Sequence, residues 1–172
     1  PWKQVCKLPA TNAFYITNSG NMLLADYLFD MNGGIYISTD KGNSWEKTDV
    51  QDYNYNYFVE NENYIFAAGY SAHIARSADD GLTWEVISYA DAVEELGENL
   101  EYTLCYAMAF HDGKLFVGDF SGGGIVYTED DGETWNKTDI APLTFNIDGK
   151  DVVENIYNMV SYNGDLYAFG VY

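Results

Sequence analysis

One eight-residue pattern, present in three copies, constrains this chain more than any other feature. Ser38-Thr39-Asp40-Lys41-Gly42-Asn43-Ser44-Trp45 returns as Ser77-Ala78-Asp79-Asp80-Gly81-Leu82-Thr83-Trp84 and again as Thr128-Glu129-Asp130-Asp131-Gly132-Glu133-Thr134-Trp135. Recurrence of this kind predicts a fold made of one supersecondary unit, each copy burying its apolar side against its neighbour. The shared form is S/T-x-D-x-G-x-S/T-W, and its fixed positions have mechanical uses. A carboxylate accepts N–H bonds across a tight turn, glycine takes a positive φ, and hydroxyls tie the ends together. The Trp supplies a large ring to bury beneath the next strand. The expected structural set is Ser38, Asp40, Gly42 and Trp45; Ser77, Asp79, Gly81 and Trp84; and Thr128, Asp130, Gly132 and Trp135.

Ahead of each pattern stands a second turn signal. Asn18-Ser19-Gly20, Asn61-Glu62-Asn63, Asp112-Gly113 and Asn163-Gly164 each separate two short runs of aromatic or β-branched residues, as hairpin turns do. The unit reads as strand A, turn, strand B, loop, strand C, Asp-containing turn, strand D. Four short antiparallel strands every 39 to 51 residues predict an all-β fold, a segment of β-propeller. The expected divisions are 1–10 as strand D of a preceding blade, full blades at 11–50, 51–90 and 91–140, and a partial blade of strands A and B at 141–172. Three complete four-stranded blades thus stand between partial blades at both ends. Strands B and D of a blade run the same way, so the first D laid on the last B would pair in parallel. A segment of a six- to eight-bladed ring is therefore expected, completed by a missing segment or another chain, with a self-contained small propeller as the alternative.

The repeated motif resembles the Asp-box, or bacterial neuraminidase repeat. That motif occurs in the propellers of sialidases, xyloglucan-type glycoside hydrolases, sortilin-like receptors and photosystem assembly factors. The resemblance covers nearly the whole chain. It implies the propeller fold and says little about activity, since the family uses the motif as a structural turn in unrelated proteins.

Charge narrows the partners. With 27 acidic side chains against 8 basic ones and a net charge of -19, the chain repels phosphate backbones and anionic headgroups. Nucleic acid is excluded as a partner, and so is membrane insertion, because no run of 18 apolar residues occurs. No cofactor is implied, and Cys6 and Cys105 show no metal spacing. An extracellular or cell-surface setting agrees with the acidity.

Functional residues are expected on the face that carries the D–A and B–C loops, because loops that differ between repeats are where activity is grafted. The D–A loops after Trp84 and Trp135 are the long ones. The first holds Asp91 to Gly97, which reads as a capped helical turn, and the second holds Ile147-Asp148-Gly149-Lys150, a hairpin signal. Asp26-Tyr27 and Asp119-Phe120 take the same place in their blades, a carboxylate beside a ring, which suits carbohydrate. Tyr53, Tyr55 and Tyr57 alternate with Asn, so the rings are expected on one side of a strand, with Tyr55 a ligand contact. Sialidase chemistry requires an arginine cluster, and Arg76 is the single arginine. A glycosidase needs two carboxylates, for which Asp26, Asp119 and Asp91 are the candidates. The leading expectation is a binding module for glycan or protein. Part of a polysaccharide-degrading hydrolase, or an assembly component completed by another chain, are the alternatives.

Overall fold

The computed structural model describes residues 11–26, 33–51, 54–69, 73–89, 105–119, 124–139, 144–153 and 155–171. All regular structure among them is β. The strands are β1 (Thr11–Ile16), β2 (Met22–Asp26), β3 (Gly34–Ser38), β4 (Glu46–Gln51), β5 (Tyr55–Glu60), β6 (Ile65–Gly69), β7 (His73–Ser77) and β8 (Glu85–Ser88). Then follow β9 (Cys105–His111), β10 (Lys114–Asp119), β11 (Ile125–Thr128), β12 (Asn136–Lys137), β13 (Thr144–Ile147), β14 (Lys150–Val153), β15 (Asn155–Tyr162) and β16 (Asp165–Val171).

They form three four-stranded antiparallel sheets, β1-β2-β3-β4, β5-β6-β7-β8 and β9-β10-β11-β12, and two-stranded sheets β13-β14 and β15-β16. These are three propeller blades and the A–B pair of a further one. The hairpin β13-β14 adds a pair of strands within the second long D–A loop, turning at Asp148 and Gly149, both with positive φ. Residues 1–10 and the segment Asp91 to Gly97 lie outside the described residues.

By backbone contacts the chain divides into two compact units, Pro1–Gly69 with Ile74–Ile87, and Tyr70–His73 with Ser88–Tyr172. The first unit buries one continuous core. Leu23, Ala25, Ile35 and Ile37 of the first sheet lie with Phe58, Ile65, Ala67, Ala75 and Trp84 of the second. Period-two alternation explains the choice, since these residues share one side of each strand. The second unit packs Ala107, Ala109 and Ile125 with Met159, flanked by Phe116, Ile156 and Leu166.

Each repeated turn closes in the same way. Ser38 Oγ donates to Asp40 Oδ1 at 2.8 Å and accepts from the Gly42 N–H at 2.8 Å, while Ser44 donates to Asp40 through its N–H at 2.8 Å and its hydroxyl at 2.7 Å. The sets centred on Asp79 and Asp130 repeat these bonds with Ser77 and Thr83, and with Thr128 and Thr134. Two consecutive residues, not glycine alone, take positive φ. The residue before glycine is Lys41, Asp80 or Asp131, at 61, 64 and 56°. Glycine itself does further work in the second copy, where a Cβ on Gly81 would lie 2.7 Å from Leu23 Cδ2 of the preceding sheet.

Candidate functional site

The four A strands share an irregularity that the sequence does not announce. In β1 the register with β2 skips Asn12, between Thr11 opposite Asp26 and Ala13 opposite Ala25. In β5 it skips Asn56, in β9 Tyr106, and in β15 Tyr157. A bulge adds one residue against the partner strand and re-aims its side chain, a device frequent beside binding sites. All four stand at the start of strand A and the end of strand B, the end where the D–A and B–C loops attach.

Register explains the place of two sequence candidates. Asp26 is paired with Thr11 and Asp119 with Cys105, each at the residue just before a bulge. The same position is Gly69 in β6 and Gly170 in β16. Asp26 is buried. Tyr27, Phe120 and Asp91 fall outside the described residues, so the carboxylate and ring pairs are described only by their acids.

Within each unit the bulged residues meet in like pairs. Asn12 Nδ2 donates to Asn56 Oδ1. The Asn56 Nδ2 is buried and has no hydrogen-bond partner among the described residues. Both amides border an open groove of about 310 Å³ between β1 and β5, lined also by Ala13, Phe14, Tyr15, Tyr57 and Phe58. In the second unit Tyr106 and Tyr157 stack with centroids 5.2 Å apart and planes 6° from parallel.

The bulge also corrects one expectation. The rings of Tyr55 and Tyr57 do not share a side of β5, because Asn56 is an extra residue between them and their partners Gly69 and Ala68 are adjacent in β6. Tyr55 is fully buried in the first unit's core, so its ring offers no surface to a ligand.

The opposite end of the sheets carries the repeated turns and serves as a clasp. Asp80 receives Ser19 Oγ and Asn21 Nδ2, the latter at 2.5 Å, from the first A–B turn. Glu60 receives the Asn18 N–H at 3.0 Å and the Tyr15 hydroxyl at 3.4 Å. Burial, and then the Glu60 charge, hold the Tyr15 phenol above its ordinary value. Among the described residues no group of three or more His, Cys, Asp and Glu is placed to hold a metal.

The turn carboxylates are acids held strongly ionised. The Ser44 N–H and hydroxyl, then the Ser38 hydroxyl, lower Asp40 from 3.8 to about 2. The Thr134 hydroxyl and N–H, then the Thr128 hydroxyl, lower Asp130 to about 2. Burial raises Asp79, but the bonds from Thr83 and Ser77 outweigh it and leave it lowered. A carboxyl lowered in the fold stabilises it fully above its unfolded value and loses that contribution as pH falls toward the folded one. The urea midpoint is therefore expected to fall as pH drops from 3.8 toward 2. Asp130→Asn should flatten that fall; an Asp130→Asn profile parallel to the parent over this range would contradict the assignment.

No protein-family model matches the chain, and a search of curated proteins found no match. Solved structures do match. "YCF48 bound to D1 peptide" superposes with a TM-score of 0.61 at 14% identity, over 93% of this chain and 48% of that one. The extracellular domain of the putative hybrid two component system BT4673 from B. thetaiotaomicron gives 0.61 at 13% identity, over 93% of this chain and 19% of that one. The computationally designed Ika4 protein gives 0.59 at 10% identity, with 99% of both chains covered. This chain spans about half of the YCF48 structure and a fifth of the BT4673 domain. At such identities the likeness is one of fold, and the fold shared with YCF48 and the BT4673 domain is the β-propeller.

Proposed function

We propose that this chain is a ligand-binding propeller segment of an Asp-box type, taking a glycan or a protein segment at the end where its A-strand bulges stand. The observation that carries this is the bulge itself. It recurs in all four A strands while its side chain changes by pair, amides in the first unit and stacked tyrosines in the second. A constant backbone device bearing variable side chains is how a site is grafted on a scaffold. The amides offer hydrogen bonds to sugar hydroxyls or peptide groups, and the tyrosine faces suit pyranose rings or apolar side chains. The net charge of -19 favours neutral or basic ligands. That YCF48 was solved with a peptide supports the protein alternative, and the extracellular BT4673 domain supports a secreted or cell-surface setting.

The test is calorimetric titration with xyloglucan and chitin oligosaccharides and with a panel of extended neutral and basic peptides. Tyr157→Ala is expected to weaken the best binder roughly tenfold or more, the scale of an aromatic contact residue. No binding to any probe, or binding that ignores Tyr157→Ala and Asn12→Ala together, would overturn the reading. Glycoside hydrolysis is a second reading, favoured by the shared register position of Asp26 and Asp119. Polysaccharide turnover lost in both Asp26→Asn and Asp119→Asn would establish it.

A further inference from the structure

Inside each unit, neighbouring sheets meet by one rule of register. In the first unit Tyr15 stacks on Phe58 of the next sheet with centroids 6.0 Å apart. In the second, Ala109 and Met159 share a core cluster. Pairing shows that these are the same two positions, since Tyr15, Ala109 and Val160 lie opposite Leu23, Phe116 and Tyr167, while Phe14, Phe58 and Met159 lie opposite Leu24, Ala67 and Ala168. Each sheet thus has a forward side with the Tyr15 position and a rear side with the Phe14 position.

Covered examples of both sides are dry. Phe58 and Met159 on rear sides are 7% and 3% exposed, and Leu23 and Ala25 on a forward side are 0% exposed. Two sides of the same kinds are open in part. On the rear of the first sheet the A-strand residues Phe14 and Ile16 are 55% and 52% exposed, while Leu24, opposite Phe14, is 7% exposed, so the open part of this side is β1. On the forward side of β15-β16, Val160, Tyr167 and Phe169 are 46%, 45% and 56% exposed, the latter two at the register positions of Leu23 and Ala25. One chain therefore displays both halves of its own inter-sheet contact.

The residues on the open halves are exchanged in matched fashion. At the formed contact the Tyr15 hydroxyl donates to Glu60; on the open halves Val160 takes the place of Tyr15, and Ile16 that of Glu60. At the formed contact Asn21 donates to Asp80. On the open halves Asp165, one residue before Leu166 as Asn21 is one before Met22 in register, answers Lys41, which follows the turn aspartate as Asp80 does and shares its positive φ. A polar pair becomes apolar and an amide–acid pair becomes an acid–base pair. Both exchanges are complementary when these two faces meet.

We infer that the forward face of β15-β16 docks on the rear face of the first sheet in a second copy of this chain, with Asp165 paired to Lys41. The contact is head to tail, so it joins unlike surfaces and leaves a further pair of faces for closure or extension.

Analytical ultracentrifugation of the 172-residue chain across concentration tests it. The average mass is expected to rise with concentration. Lys41→Asp places in the first turn the residue type that the other two turns already hold at that φ, so the fold is kept while association weakens roughly tenfold through like-charge apposition. Asp165→Lys should do the same, and the double exchange should restore the parent constant to within about threefold if the two charges face each other. Phe169→Asp should weaken association roughly 30-fold or more, as for a central apolar contact. A chain that keeps monomer mass at every concentration overturns the inference. So does a double exchange no better than its single variants, or a charge effect seen only in the thermal stability of a monomer, which would place the contact within one copy.

Discussion

Gly69→Ala is expected to destabilise the first unit by about 3 kcal/mol or more, the range of severe overpacking. A Cβ at this position would stand 1.8 Å from the Asn54 carbonyl oxygen and 2.9 Å from Tyr55 Cα. Both are backbone atoms, so no rotamer change relieves the clash, and the β5-β6 ladder must part where the Asn56 bulge begins. Gly113→Ala is the control. Its Cβ would meet nothing within 4 Å, and only the positive φ of 75° opposes it. That strain costs about 1 kcal/mol. Urea unfolding followed by tryptophan fluorescence separates the two, and a Gly69→Ala variant no less stable than Gly113→Ala would show that the strands at the bulge are not held as described.

The second large effect distinguishes residues that the sequence makes equivalent. Trp84→Ala is expected to cost about 3–5 kcal/mol, as for a buried aromatic ring removed from a core. Its indole N–H donates to the Gly81 carbonyl at 2.9 Å, its backbone N–H donates to Asp49 at 3.1 Å, and its ring lies 6.3 Å from that of Phe58. Trp45 and Trp135 fill the same motif position but are only half-buried. Trp135 packs on Tyr89, with centroids 5.7 Å apart. Their alanine variants should cost about 1–2 kcal/mol, in proportion to the smaller area removed from water. Equal losses at all three positions would mean that the motif, rather than the surrounding core, sets the contribution of the ring.

Much of the fold was legible in the chain because the motif is local. Asp40, its hydroxyl partners and its glycine lie within seven residues, so their types and spacing almost specify their hydrogen bonds. The same holds for the small hairpin at Asp148-Gly149, whose turn chemistry is carried by two adjacent residues. The tyrosine alternation around Tyr55 was misleading for a nonlocal reason. Strict alternation assumes an unbroken ladder, and whether β5 bulges depends on how it pairs with β6, including the bare Gly69 opposite. Asp26 and Asp119 were recognisable as equivalents by their place at the end of strand B, but that each neighbours a bulge required the register.

Sequence alone determined that this protein is built of repeated four-stranded units with an acidic surface, because turn chemistry and strand periodicity act over a few residues and charge simply adds. Only the tertiary structure decided which tryptophan belongs to a core, where four bulges re-aim Asn12, Asn56, Tyr106 and Tyr157, and which faces remain uncovered. Those outcomes depend on pairing and packing between segments some 40 or more residues apart, as between Asn12 and Asn56. Identical local motifs can be given different neighbours, and it is the neighbours that divide turn fastener, core and binding surface.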